Sequence, residues 1–231
     1  MARLPQPLKR ITSRAQEIMD TLLYDPEENQ MLYFTSILDE FKELIEIYTN
    51  LFPELIEQTR SKISHSTFAQ GGDYVHRGIH CPSPILSLLV GCNAAFEIES
   101  PDKATDNFFK YIFDAEDHLI AISHYDFQES SEIPDEMEFT IRKGQDEYGI
   151  SFHNDWNEVT RVSKVAFHEN GQPKYYAVSK YDESEPELMF LHYEEYVYEG
   201  DTPVRAEVYF GISPELNMFE KHSFILEPES H

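Results

Sequence analysis

The sequence predicts an α+β protein, in which an N-terminal helical segment precedes a large antiparallel β-meander sheet. In the first third, apolar residues recur every three or four positions, and from about Asn107 onward the apolar period switches to two. The strand-like segments follow one another through short turns, which favours antiparallel pairing of sequence neighbours. We divide the chain into a helical segment (1–65), an irregular connector with a short buried element (66–106) and an antiparallel β-sheet region (107–231). We expect the sheet region to form one compact unit with the helices.

The helical segment has a recognisable start and a continuous apolar stripe. Asp25 suits an N-cap and Pro26 suits the first helical position. Pro53 ends or interrupts this helix, and residues 54–63 can form a shorter second one. An earlier helix is predicted over residues 13–23. The stripe of the main helix consists of Met31, Phe34, Leu38, Phe41, Ile45 and Tyr48.

The rest of the chain predicts short strands. In the connector, the apolar run 85–90 fits either a buried strand or a short helix, and residues 94–98 fit a further strand. Asn170-Gly171 is the strongest hairpin turn signal in the chain. The nine strands predicted beyond the connector cover 108–113, 119–125, 138–142, 148–152, 162–167, 174–181, 188–198, 204–210 and 218–226.

Charge is the most informative feature of the composition. The 231 residues include 18 Lys and Arg against 43 Asp and Glu, a formal net charge of −25, of which −21 falls in residues 66–231. This charge opposes nucleic acid as a partner, because a phosphate backbone would be repelled over most of the surface. No run of about 18 apolar residues is present, which excludes a membrane-spanning helix. With two cysteines and no apolar signal-peptide core, the sequence predicts a cytoplasmic protein.

Two acidic runs are the candidate partner-binding surface. The first runs from Asp126 to Glu138, and the second begins at Asp182 and continues past Glu199; neither contains Lys or Arg. Each run begins at the Asp of a Tyr-Asp pair, and each pair ends one of two similar hairpins. Both runs are therefore expected at one edge of the sheet. Carboxylates steer a cationic partner, and tyrosine is favoured in interface cores. The predicted partner-binding residues are Asp126, Glu129, Tyr181, Asp182, Glu183, Glu185, Glu194, Glu195, Tyr198, Glu199 and Asp201. The alternative is that these runs are ordinary solvated loops.

The segment from His76 to Cys81 is a weaker candidate site. His76, His80 and Cys81 are residue types that bind zinc, and a thiolate beside an imidazole can act as a nucleophile. The spacing of Cys81 and Cys92 matches no zinc pattern, however. The sequence also lacks a Gly-x-Ser-x-Gly, Walker or dinucleotide fingerprint. We therefore predict no catalytic residue and no cofactor, and we keep a metal- or small-ligand-dependent enzyme that uses this segment as an alternative.

One hairpin carries a family resemblance. Residues 111–120, Tyr-Ile-Phe-Asp-Ala-Glu-Asp-His-Leu-Ile, resemble the tyrosine–aspartate hairpin repeat of secreted polymorphic toxins, and the Asn170-Gly171 turn resembles the turn of that repeat. That repeat normally has Gly-Arg after the turn and recurs many times, whereas this chain has Asp117-His118 and Gly171-Gln172 and only two copies. The chain is therefore more similar to the immunity proteins encoded beside such toxins. The resemblance covers roughly residues 107–226.

The resemblance implies a bacterial cytoplasmic protein that binds and inhibits a cognate toxin. Immunity proteins share no common fold or signature, so no functional residue is carried across. Together with the charge, it leads to one hypothesis: the protein inhibits a basic partner, such as a nuclease-type toxin effector, by covering its active site. A plain scaffold or interaction module, whose charge only keeps it soluble, is the third alternative.

Overall fold

A computed structural model describes residues 16–18, 23–24, 28–72, 75–86, 95–126, 134–153, 158–181, 189–212 and 218–226. It contains two helices, α1 (Glu28–Tyr48) and α2 (Phe52–Lys62), and neither is long and apolar enough to cross a membrane. The predicted helix start at Asp25 and Pro26 lies outside the described residues. The strands are β1 (Gln16–Ile18), β2 (Leu23–Tyr24), β3 (His65–Gln70), β4 (Phe96–Ile98), β5 (Phe108–Phe113), β6 (Leu119–Tyr125), β7 (Glu136–Lys143), β8 (Asp146–His153), β9 (Val159–Phe167), β10 (Pro173–Lys180), β11 (Phe190–Glu199), β12 (Thr202–Ile212) and β13 (Met218–Ile225).

The described strands form one antiparallel sheet of thirteen strands. Its order is β1-β13-β12-β11-β10-β9-β8-β7-β6-β5-β3-β4, and β2 also pairs with β13. From β5 to β13 each strand pairs with the next one along the chain, which is the predicted meander. The α+β fold class is therefore confirmed.

Two local predictions are wrong. The helix predicted over residues 13–23 is replaced, where the chain is described, by β1 and β2, which pair with the last strand β13. Such pairing depends on residues about 200 positions away, so the helical spacing of the segment could not indicate it. The connector predicted as irregular contains β3, whose sequence His-Ser-Thr-Phe-Ala-Gln is too polar to signal a strand. Most of the apolar run 85–90 lies outside the described residues.

One face of the sheet, here called the helix face, packs against α1 and α2. The core between them includes Phe34, Leu38 and Phe41 of α1, all at most 1% exposed, with Phe152 and Tyr193 of the sheet. Each fully buried side chain of this size stabilises the fold by about 1.5–3 kcal/mol. The apolar stripe predicted for α1 is thus the packing surface of the helix.

Polar contacts also hold α1 to the sheet. The Tyr148 hydroxyl donates a hydrogen bond to Glu40 Oε1 at 2.5 Å, and Lys164 Nζ donates to Glu40 Oε2 at 2.8 Å. Lys164 Nζ also lies 3.2 Å from a carboxylate oxygen of Asp146. Because Glu40 meets two donors from neighbouring strands, the position of α1 over β8 and β9 is fixed by geometry as well as by apolar packing.

Residues 75–86, here called the strap, cross the opposite face of the sheet, which we call the strap face. Six of the twelve strap residues are buried and the other six are half-buried, and Ile85, 1% exposed, packs in a cluster with Tyr176, Tyr196 and Val208. Its path is fixed partly by Tyr111, whose hydroxyl accepts a hydrogen bond from the Ile79 N–H and donates one to the Arg77 carbonyl. The strap therefore covers strands that come much later in the chain.

Candidate functional site

The centre of the strap face is a buried cluster of charged groups around Arg77. Arg77 Nε donates to Glu138 Oε1 at 2.6 Å, and Nη1 donates to Glu147 Oε1 at 2.6 Å. The Arg77 side chain is only 2% exposed. Gly149 lies directly beneath it, and a Cβ there would lie 2.5 Å from Ser163 Oγ and 2.6 Å from Arg77 Nη2. The guanidinium therefore reaches both carboxylates only because position 149 has no side chain.

His76 completes this cluster from the same strap. Its Nε2 lies 2.6 Å from Glu138 Oε2, and its Nδ1 lies 2.7 Å from the Tyr176 hydroxyl. A neutral imidazole satisfies both contacts when Nε2–H donates to Glu138 and Nδ1 accepts from Tyr176. Burial lowers the pKa of His76 below its ordinary value, despite the neighbouring Glu138 carboxylate. His76 is thus held as a neutral bridge between two strands.

The charges in the cluster stabilise one another. Burial alone would raise the pKa of Glu138, but Arg77 and His76 hold that pKa well below its usual range. Burial alone would lower the pKa of Arg77, but Glu138 and Glu147 raise it above its usual value. Both groups are therefore ionised throughout the neutral range. The cluster binds the strap to the sheet, and its hydrogen-bonding capacity is used internally.

Glu194, predicted to bind a partner, anchors the strap at a second point. It is fully buried, and its Oε2 accepts hydrogen bonds from Ser83 Oγ and the Tyr196 hydroxyl, each at 2.6 Å. Its Oε1 contacts His192 Nε2. Ser83 Oγ in turn accepts hydrogen bonds from the backbone N–H groups of Ile85 and Leu86. Glu194 is therefore inaccessible to a partner, and its assignment to the binding surface is corrected.

His80 and Cys81 also have structural surroundings. The His80 ring lies edge-on to Tyr111 at 4.4 Å, and burial lowers the pKa of His80 to about 4. Burial raises the pKa of the Cys81 thiol well above its usual value, which opposes the thiolate that a nucleophile or a zinc ligand needs. Within the described ranges, no three His, Cys, Asp or Glu side chains are placed to hold a metal ion. The other proposed thiol, Cys92, lies outside those ranges.

The starting points of the two acidic runs lie at the same end of the sheet. Four antiparallel pairings connect β6 to β10, so these strands run in the same direction and finish together, at Tyr125 and Lys180. They are four strand spacings apart, or about 19 Å. Asp126 and Tyr181 follow directly and are half-buried. Glu129, Asp182, Glu183 and Glu185 lie outside the described residues.

We call this end of the sheet the acidic end and define it by its four connections, residues 126–135, 154–158, 181–189 and 213–217. Together they contain eleven Asp and Glu and no Lys or Arg. The four connections at the opposite end, residues 114–118, 144–145, 168–172 and 200–201, contain five acids and no Lys or Arg. Lys180 is an exposed base at the acidic end, whereas Arg161 is paired with Glu136.

The remaining predicted residues lie elsewhere. Glu195 is exposed on the helix face and accepts a hydrogen bond from the Tyr193 hydroxyl at 2.6 Å. Tyr198 lies on the strap face beside Tyr196. Glu199 and Asp201 are exposed at the turn between β11 and β12, at the opposite end from Tyr181. The described residues of the second acidic run therefore do not share one end of the sheet.

Sequence reasoning missed Arg77, Glu138 and Glu147 as an interacting set. A weak signal existed, because Glu138 stands between Met137 and Phe139 in a strand-like apolar segment, where an unpaired charge would be costly.

Comparison with protein-family models, with curated proteins and with solved structures finds no match.

Proposed function

We propose that this protein binds a basic protein partner through the acidic end of its sheet and inhibits it by covering its active site. The observation that carries the proposal is the meander topology, which gathers four connections with eleven acids and no Lys or Arg at one end. Such a surface attracts a cationic partner over long range and repels nucleic acid. The resemblance to immunity proteins leads us to propose a bacterial toxin domain as the partner and the cytoplasm as the compartment.

The mechanism would be electrostatic substitution. A nuclease-type toxin binds phosphates with Arg and Lys, and carboxylates of the inhibitor can pair with the same side chains. Of the residues predicted from sequence, Asp126 and Tyr181 lie at this end, and Glu129, Asp182, Glu183 and Glu185 follow them in sequence but lie outside the described residues. Glu194 is excluded because it is buried, and Glu199 and Asp201 are excluded because they lie at the far end.

The test is co-purification with the basic product of a neighbouring gene, followed by titration of the isolated pair. We compare the double variant Glu183→Lys/Glu185→Lys with Glu199→Lys/Asp201→Lys, which makes the same charge change at the far end. We expect the first to weaken binding by about tenfold or more and to reduce its salt dependence, and the second to leave binding nearly unchanged. Equal weakening by both variants, or by neither, would overturn the proposal.

A further inference from the structure

Strand β4 is an edge of the sheet in the part of the chain that the structure describes. It pairs with β3 through Phe68, Ala69 and Gln70, and no described strand pairs with its other side. An edge strand presents backbone N–H and C=O groups that can pair with an added strand. The side chain of Phe96 is 50% exposed, although large aromatic side chains are usually buried.

An aromatic row leads from this edge to the acidic end. Across four neighbouring strands, the register aligns Phe96, Gln70, Phe108 and Tyr125. The rings of Phe108 and Tyr125 stack at 4.7 Å with planes 4° apart, and both are half-buried. Tyr125 is followed directly by Asp126. The edge and the acidic end therefore meet at one corner of the molecule.

The amide of Gln70 keeps this row in place. It donates to Thr105 Oγ1 at 3.1 Å and accepts the Thr105 backbone N–H at 2.8 Å. Gln70 is buried, and the two hydrogen bonds fix the connection between β4 and β5 against β3. Gln70, which pairs with Phe96 across the two strands, is thus anchored to the connection that follows β4.

Charge alternates with apolar side chains along the edge. Phe96 and Ile98 point to the same face as Phe68 and Gln70, whereas Glu97 points to the face of Ala69. Glu99 follows β4 at a bend, and Glu97 and Glu99 are both exposed. Residues 96–106 contain four acids and a single base, Lys103. A strand added here would therefore meet Phe96 and Ile98 on one face and the Glu97 carboxylate on the other, with Glu99 just beyond the end of β4.

The charges decide which occupant fits. A second copy of this chain, paired antiparallel at this edge, would bring Glu97 and Glu99 against the same carboxylates of the copy, and like charges across a strand pair are destabilising. An extended segment with alternating cationic and apolar residues has the opposite effect, because each Lys or Arg would meet a carboxylate and each apolar side chain would meet Phe96 or Ile98. We propose that β4 takes up such a cationic segment of the partner protein as an added strand. This inference rests on the proposed function and names its binding mode.

The test uses defined peptides and the intact chain. The probe is an octapeptide of four Lys-Val repeats carrying a fluorescent label. Two control peptides are the Glu-Val octapeptide and a Lys-Pro octapeptide, which keeps the charge but lacks half of the backbone N–H groups. We expect only the Lys-Val peptide to bind with saturation by anisotropy, and we expect it to slow amide hydrogen exchange at residues 96–99. Equal binding of the Lys-Pro peptide, or unchanged exchange at β4, would overturn the inference.

Charge-reversal variants separate the edge from bulk charge. Glu97→Lys/Glu99→Lys should weaken binding of the Lys-Val peptide by about tenfold, whereas Glu199→Lys/Asp201→Lys should not. All four residues are exposed, so the thermal midpoints of both variants should match that of the wild type. If Glu97→Lys/Glu99→Lys lowers the midpoint, Glu97→Gln/Glu99→Gln is used in its place. An equal loss in the edge and far-end variants would overturn the inference.

The same variants distinguish the two proposals. One outcome is that the basic partner binds the Glu97→Lys/Glu99→Lys variant with wild-type affinity and fails to bind the Glu183→Lys/Glu185→Lys variant. That outcome refutes strand addition and leaves the proposed function standing. If the Lys-Val peptide binds at β4 but the basic neighbouring product does not bind the chain, the proposed function is refuted and the edge still takes up a cationic strand.

Discussion

Among the described residues, Arg77 is the only cation of the strap that contacts both Glu138 and Glu147, and replacing it with alanine removes both contacts. The guanidinium meets each carboxylate at 2.6 Å and is 2% exposed. In Arg77→Ala, two carboxylates that remain largely buried lose this partner. Neither can regain full hydration without disturbing the strap above them.

The expected loss of stability in Arg77→Ala depends on the contacts that Glu138 and Glu147 keep. Breaking a buried ion pair by removing one partner costs about 3–5 kcal/mol. Glu138 keeps His76 at 2.6 Å, and Glu147 keeps Arg142 Nε at 2.9 Å, so we expect the lower part of that range, about 3 kcal/mol. For a chain of this size each kcal/mol lowers the unfolding midpoint by about 2–4 °C, which gives a decrease of about 6–12 °C.

Urea unfolding and thermal unfolding of the two proteins measure this loss. The matched control is Arg205→Ala, because the Arg205 side chain is 56% exposed and pairs with Glu207. Exposed pairs contribute at most about 1 kcal/mol, so this variant should stay close to the wild type. If Arg77→Ala is no less stable than Arg205→Ala, the strap is not held by the buried cluster and the reasoning is refuted.

Two further predictions concern the same face. Burial holds the pKa of His80 near 4, below the ordinary value of 6.5, so the unfolded state binds the proton first and stability falls as the pH drops from about 6.5 towards 4. His80→Phe keeps the ring contact with Tyr111 and should make this decline in stability shallower by up to about 1.4 kcal/mol per pH unit. Urea unfolding at pH 7 and pH 5 measures the decline in both proteins. An unchanged decline in His80→Phe would contradict the role given to His80. Gly149→Ala places a methyl group against Glu138 and Ser163 and should cost about 1–3 kcal/mol, and a wild-type thermal midpoint would show that the strap tolerates it.

Much of the sheet could be predicted because its pairing is local. The strands over 108–113 and 119–125 have the predicted bounds, and the later strands differ from prediction by a few residues at their ends. In a meander each strand pairs with its neighbour in sequence, so alternation and turn residues contain most of the information. By contrast, β3 inserts between β5 and β4, and its polar sequence gives no comparable signal.

The candidate site was less accessible to sequence reasoning. Glu194 and Glu195 are adjacent and chemically identical, yet the first is fully buried and the second is exposed. The difference depends on Ser83, which lies 111 positions earlier and supplies one of the donors that a buried carboxylate needs. A partner at that separation cannot be inferred from local composition. The common end at which the two acidic runs start could be predicted, because it follows from strand direction alone.

The strap has a consequence for the order in which the chain folds. Residues 75–86 leave the ribosome before β5 to β13. Arg77 precedes its partner Glu138 by 61 residues, and Ser83 precedes Glu194 by 111 residues. The meander can assemble hairpin by hairpin through contacts that close short loops, which are the fast ones. The strap contacts β7 through Glu138 and β11 through Glu194, so we expect it to dock in the late steps of folding. Before the strap docks, we expect Glu138 and Glu194 to be hydrated on an uncovered sheet face.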